Sequence, residues 1–98
     1  MKLYTTPEQT AKLIEFGFEP PKIYVRFSPD GGCWADYTLG ELIEMLPKDE
    51  YPGRRLEFDG YNWVVDWDAE QKIMQTMGVE LIDALYEMLV MLKEKGVI

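Results

Sequence analysis

Apolar positions recur along the chain at two periods, and the switches between them mark the elements. Thr6 to Gly17 carries the helical period. Ala11, Leu13, Ile14 and Phe18 supply its apolar side. Thr6 stands at the N-cap, Pro7 suits the first helical position, and Gln9 sits where a capping box needs it. Gly17 suits the left-handed position after the last turn, with Phe18 placed for the apolar contact of a Schellman motif. Pro20-Pro21 prevents continuation. Lys22 to Ser28 then alternates: Ile23, Val25 and Phe27 point one way, Tyr24, Arg26 and Ser28 the other. Ser28-Pro29-Asp30-Gly31-Gly32 is turn chemistry, and Cys33 to Tyr37 is a second strand. Pairing Phe27 with Cys33 sets Val25 opposite Ala35 and Ile23 opposite Tyr37, all towards the core. A slip of one residue would bury Asp36, so a loop of three or five residues is predicted. In this register Arg26 lies opposite Trp34 and Tyr24 opposite Asp36.

Thr38 to Leu46 is a second helix, with Thr38 and Glu41 forming a capping box and Leu39, Leu42, Ile43 and Leu46 at i, i+3, i+4 and i+7. Pro47 ends it, and Lys48 to Gly53 is a polar connection. Arg54 to Asp59 and Tyr61 to Trp67 form a hairpin about a two-residue Asp59-Gly60 turn of type I′. That turn pairs Phe58 with Tyr61 and Leu56 with Trp63. The opposite face, with Arg55, Glu57, Asn62, Val64 and Asp66, is the wetter one. Asp68 to Met77 shows no settled period and reads as a loop with room for a turn of helix. A long helix begins near Gly78 and runs to about Lys95, with Gly96 at its C′ position.

The expected fold class is α+β: an antiparallel four-stranded sheet from two β-hairpins with three helices, in the order α-ββ-α-ββ-α, forming a single domain over residues 1–98. Glu41-Leu42-Ile43-Glu44-Met45-Leu46 and Glu80-Leu81-Ile82-Asp83-Ala84-Leu85 are alike enough to admit a tandem ββα duplication, although a short helical pattern also recurs by chance.

The long helix raises the question of partners. Leu81, Ile82, Leu85, Met88, Leu89 and Leu92 make a core stripe at 100° per residue. Val79, Tyr86 and Val90 lie on one flank, Ala84 and Met91 on the other. A helix on a sheet does not need an apolar second flank. Either the first helix packs there, or the flank is a homodimer or partner interface. Glu80, Asp83, Glu87 and Glu94 form an acidic stripe that is either a solvated face or, at Glu80, Asp83 and Glu87, a docking face for a basic partner. On the first hairpin, Tyr24, Arg26 and Trp34 are either cross-strand stabilisers or an aromatic recognition patch.

Composition narrows the chemistry. Ninety-eight residues, 47% apolar and 29% charged, suit one core. A net charge of −8 argues against direct nucleic-acid binding, which needs basic side chains to displace counterions. With no His, the usual zinc ligand and general base are missing, and one Cys makes no internal disulfide. The longest stretch without a charged side chain, Ile73 to Val79, is far short of a membrane span, and no signal peptide is evident. Carboxylates are the available acid–base groups: Asp59, Asp66 and Asp68 cluster at the second hairpin, with Glu57 sharing the face of Asp66. Glycosidic chemistry would need a cleft that so small a domain has little room for. Cys33 lacks a His to activate it and points into the core beside Phe27. No P-loop, dinucleotide fingerprint or metal-ligand spacing occurs, and Asp30-Gly31-Gly32 lacks the later oxygen ligands of a calcium loop. No catalytic residue, cofactor or metal site is expected.

Three segments taken together, TPEQTAKLI from Thr6, GELIEMLP from Gly40 and ELIDALYEM from Glu80, carry a resemblance. The chain resembles a group of short proteins, without an assigned activity, of Bacteroides-type gut bacteria and their prophages or mobile elements. The resemblance implies a cytoplasmic accessory protein and transfers no functional residue. The whole reading is a non-enzymatic protein-interaction module that binds a protein partner or a second copy of itself. The alternative is an acidic mimic of nucleic acid, encoded by a mobile element, that inhibits a DNA-binding protein. Lys48, Arg54, Arg55 and Lys72 interrupt the acidic run and weigh against it.

Overall fold

The computed structural model describes residues 2–46, 55–69 and 72–96. In chain order they form α1 (Pro7–Glu15), β1 (Tyr24–Phe27), β2 (Cys33–Ala35), α2 (Leu39–Met45), β3 (Arg55–Phe58), β4 (Trp63–Ala69), β5 (Lys72–Gly78) and α3 (Leu81–Glu94). The strands make two antiparallel sheets, β1-β2 and β3-β4-β5. The α+β class therefore holds, and the single four-stranded sheet does not. The polar connection read at Lys48 to Gly53 lies outside the described residues.

Both capping boxes form. Thr6 Oγ1 accepts from Gln9 N at 3.1 Å while Gln9 Oε1 accepts from Thr6 N at 2.9 Å. Thr38 Oγ1 and Glu41 Oε1 do the same for α2, at 3.2 and 3.1 Å. Each box satisfies two amides that the first helical turn leaves without a carbonyl. Gly17 takes φ 95° past the end of α1, and Phe18 N donates to Leu13 O at 3.1 Å.

The segment read as a loop is a strand. β5 pairs with β4 over its whole length, from Ala69↔Lys72 to Trp63↔Gly78. Its alternation is masked because Thr76, a polar residue, faces inward at 7% exposure while Met77, an apolar one, is 53% exposed. Thr76 is tolerated inside because its hydroxyl donates to Ala84 O at 2.7 Å. The extra strand gives the second half three strands against two in the first, so a simple ββα repeat does not describe the pair. It also moves the start of the last helix to Leu81. Gly78 fits the tight passage from β5 into α3: a Cβ there would lie 3.1 Å from Glu80 O and 3.2 Å from Ala84 N.

The second hairpin turns over four residues, not two. Asp59 Oδ1 accepts from Tyr61 N at 2.8 Å and Asn62 N at 2.7 Å, while Asp59 N donates to Asn62 O at 3.0 Å. This carboxylate-closed turn displaces the type I′ turn. Phe58 pairs with Trp63 and Leu56 with Val65. The shift is two residues, so every side chain keeps its face. The face expected to be wet is not open at the central strand, where Val64 and Asp66 are 8% and 9% exposed.

The core stripe of α3 is buried as the period requires: Leu81, Ile82, Leu85, Met88, Leu89 and Leu92 are all 6% exposed or less. They pack with Val65 and Met74 of the three-stranded sheet, Leu42 and Leu46 of the α2 region, and Leu13 and Tyr37. The helix that packs along α3 is α2, whereas α1 reaches the core through Leu13. The flanks are unequal. Ala84 is fully buried, Tyr86, Val90 and Met91 are half-buried against the core, and Val79 is 74% exposed in the turn before the helix. Among the described residues, no helix is long and apolar enough to cross a membrane.

Candidate functional site

The β1-β2 hairpin departs from the predicted register at one point, and that point organises its surface. Phe27 faces Cys33 across a five-residue loop and Arg26 faces Trp34, as the alternation requires. Beyond Arg26 the register slips at a bulge, so Tyr24 faces Ala35 instead of Asp36. Asp36 then turns inward and is 1% exposed. Burying it is affordable because every oxygen is met. Arg26 Nε donates to Oδ2 at 2.5 Å, Arg26 Nη2 to Oδ1 at 3.2 Å, and Thr10 Oγ1 to Oδ1 at 2.6 Å.

The network continues into α1 and the N-terminal segment. Tyr37 N donates to Thr5 Oγ1 at 3.0 Å, and Thr5 and Thr10 hydroxyls meet at 2.7 Å. Thr10 spends its one proton on Asp36, so Thr5 is the donor to Thr10. A chain of hydrogen bonds thus runs from the Tyr37 amide through Thr5 and Thr10 to the Asp36 carboxylate, where the Arg26 guanidinium donates from the other side. A carboxylate held from two sides fixes the plane of the Arg26 head.

One exposed ring lies near that head, and others are exposed elsewhere on the hairpin. The Arg26 guanidinium carbon is 5.8 Å from the centroid of Trp34. Tyr24 is 61% exposed, Phe27 73% and Trp34 48%, with Ile23 at 49%. The face assigned to the core is therefore bare at Ile23 and Phe27, half-buried at Val25 and Ala35, and buried only at Tyr37. Cys33 is likewise exposed, not tucked into the core. Among the described elements, β1 and β2 pack chiefly on each other, with Val25, Arg26 and Ala35 half-buried and Tyr24, Phe27, Cys33 and Trp34 exposed.

The acidic stripe has less free charge than its sequence implies. Glu80 Oε2 accepts from Lys2 N at 2.7 Å. Asp83 Oδ1 accepts from Lys2 Nζ at 2.7 Å and Gln9 Nε2 at 2.8 Å. Burial works to raise the Asp83 carboxyl, but these hydrogen bonds and the Lys2 charge outweigh it and hold it below the ordinary value. Glu87 remains exposed. The carboxylates read as an acid–base cluster belong to the second hairpin. Asp59 closes the exposed turn, Asp66 accepts from Gln75 Nε2 at 2.8 Å, and Asp68 is farther along β4 opposite Ile73. Among the described residues, no group of three or more Cys, Asp or Glu side chains is arranged to hold a metal ion.

A cleft of about 540 Å³ lies between the α1-β1 connection and α2. Pro20, Ile23 and Met45 give it apolar walls; Glu19, Lys22, Glu41 and Glu44 give it charge. Tyr37, 1% exposed, closes its inner side, with its hydroxyl donating to Glu19 O at 2.5 Å. Burial, with the nearby Glu41 carboxylate, pushes the Tyr37 phenol up to about 12. Neither the cleft nor the Asp36 anchor was visible as such in the sequence. The signal for the anchor was an Asp between Ala35 and Tyr37, in a stretch otherwise reading as core.

The chain matches no protein-family model, no curated protein and no solved structure with which it was compared.

Proposed function

We propose that this protein is a non-enzymatic interaction module whose contact surface is the β1-β2 hairpin. The observation that supports the reading most strongly is the arrangement of Arg26. Its head is bonded to a buried carboxylate on one side and lies near an exposed indole on the other. Arg, Trp and Tyr are the residues that most often dominate binding energy at protein interfaces. Here one of each sits on a single hairpin, with Phe27 exposed on its other face. Because Asp36 already restrains Arg26, docking costs less side-chain entropy than an unrestrained arginine would. Exposed aromatic side chains grouped on one hairpin fit recognition. Residence in the cytoplasm belongs to the same reading.

The flank of α3 is the weaker contact surface, since Tyr86 and Val90 are half covered by the core. The nucleic-acid-mimic alternative is disfavoured, because the Lys2 ammonium pairs with Asp83, one of the carboxylates such a surface would need.

The test places a photoreactive benzoylphenylalanine at Phe27, with a control at Tyr61, which is 85% exposed in the other hairpin. Irradiation in the cells that encode the protein should give a discrete adduct from position 27 and none from position 61. An adduct of twice the chain mass would identify the partner as a second copy. Equal labelling from both positions, or none, would refute the assignment.

A further inference from the structure

The anchor under Arg26 is connected to the first turn of α3 through the N-terminal segment. We propose that Lys2 to Thr5 is a strap, latched on Asp83, that regulates the hairpin by setting how firmly Arg26 is held. The inference rests on the reading of the hairpin as a contact surface and adds the control of that surface.

The latch is one carboxylate oxygen. Asp83 Oδ1 accepts from Lys2 Nζ at 2.7 Å and from Gln9 Nε2 at 2.8 Å, and Lys2 N adds a bond to Glu80 Oε2 at 2.7 Å. Three residues after Lys2, Thr5 is buried at 3% exposure and meets Tyr37 twice. Its amide donates to Tyr37 O at 3.0 Å, and its hydroxyl accepts from Tyr37 N at 3.0 Å. The residue after Gln9 is Thr10, whose hydroxyl donates to Asp36 at 2.6 Å. Two arms therefore leave Asp83, one along the strap and one along the start of α1. Both end on groups that fix Asp36: Thr10 bonds its carboxylate, while Thr5 bonds the backbone of the next residue and Thr10 itself. Among the described elements β1 and β2 pack chiefly on each other, so these bonds at Asp36 and Tyr37 tie the hairpin to the body. Asp83 is thus a positioning residue for Arg26, acting through Asp36.

The two ends of the strap differ in strength. Thr5 is enclosed, whereas the Lys2 and Asp83 side chains are 32% and 38% exposed, and a pair so open to water and salt is weakly held. Between them Leu3 and Tyr4 are 55% and 41% exposed, with Tyr4 paired to Thr38. Such a segment opens from Lys2 inwards, because local opening begins where least is buried. With the latch closed, Arg26 is presented in one orientation. With it open, a partner must order the side chain as it binds, and that difference shifts affinity between the two states.

The test measures the ¹⁵N order parameter of Arg26 Nε–H in the free full chain. Asp83→Ala removes both arms and should lower it from near 0.85 to below about 0.7. Lys2→Ala removes one arm and should lower it less; it also serves should Asp83→Ala fail to fold. Glu87→Ala removes a charge from an exposed position of the same helix outside the latch and should leave the value as in wild type. Raising sodium chloride from about 0.01 M to about 1 M should lower the wild-type value and leave Lys2→Ala where it is. An Asp83→Ala value equal to wild type, or an equal fall in Glu87→Ala, would overturn the proposal. The photo-crosslink at Phe27 separates the two readings: its yield should fall in Asp83→Ala. An unchanged order parameter in Asp83→Ala removes the strap and leaves the hairpin, whereas absence of the adduct from the otherwise wild-type chain removes the hairpin reading itself.

Discussion

Removing Arg26 and removing Asp36 should not cost the same, and the asymmetry follows from their burial. The Asp36 side chain is 2% exposed and the Arg26 side chain 40%. Arg26→Ala strips two of three donors from a carboxylate that cannot reach water. Breaking a buried pair in this way costs about 3–5 kcal/mol. Because Arg26 is itself partly solvated, the low end, about 3 kcal/mol, is expected. Asp36→Asn leaves an arginine that turns into solvent and an amide that still accepts from Thr10. It should cost about 1.5 kcal/mol, the low end for a hydrogen bond to a charged group, since the arginine regains water. The double variant should therefore be more stable than Arg26→Ala alone, since it no longer buries an unmatched charge. Urea unfolding at neutral pH, followed by tryptophan fluorescence, gives all four corners of the cycle, provided m is unchanged. The reasoning fails if Arg26→Ala costs under about 1 kcal/mol, the value of an exposed pair, or if Asp36→Asn is the more damaging change.

Three further outcomes are expected. The folded Asp83 carboxyl lies below its ordinary value of 3.8, so its contribution is present above that pH and is lost as pH falls through the folded value. With both side chains about one-third exposed, Lys2→Ala should cost about 0.3–1 kcal/mol at neutral pH and low salt, and nothing in strong acid; a cost independent of pH would refute the charge account. The raised Tyr37 phenol keeps its proton in the folded chain after the unfolded chain has lost it, so stability should be level below about pH 10 and fall towards 12. In an absorbance titration one tyrosine should ionise near pH 12, and Tyr37→Phe should abolish that step; full ionisation of the folded protein by pH 11 would contradict it. Leu85→Ala removes a side chain with no exposure and should cost about 2–5 kcal/mol in urea unfolding, whereas a loss under about 0.5 kcal/mol would mean that α3 presents another face to the sheet.

Where one local rule acted alone, the chain was legible. Thr6 with Gln9 and Thr38 with Glu41 announced both capping boxes, because those contacts lie within three residues. The α3 core stripe followed from the helical period, since burial on a sheet selects one face. What was hidden depended on distant partners. β5 was lost because Thr76 goes inward on the strength of a carbonyl from α3. The turn at Asp59 was misread because a side chain replaced the backbone geometry that Asp-Gly usually dictates. Asp36 was set outside because an isolated buried carboxylate is costly, and neither Thr10 nor a bulge at Val25 could be read from the strand itself. The candidate surface was half legible in the same sense. Tyr24, Arg26 and Trp34 were marked by alternation, but the anchor that restrains Arg26 lies in α1 and in the core side of β2's exit. Lys2 escaped notice because it lies some 80 positions from the carboxylates it meets.

The central claim is that Asp36 holds the Arg26 head in place before any partner arrives. The order parameter of the Arg26 Nε–H bond, from ¹⁵N relaxation on the free protein, tests this most directly. A value near that of rigid backbone, about 0.85, is predicted, falling in Asp36→Asn; a value below about 0.6 in the unmodified chain would contradict it.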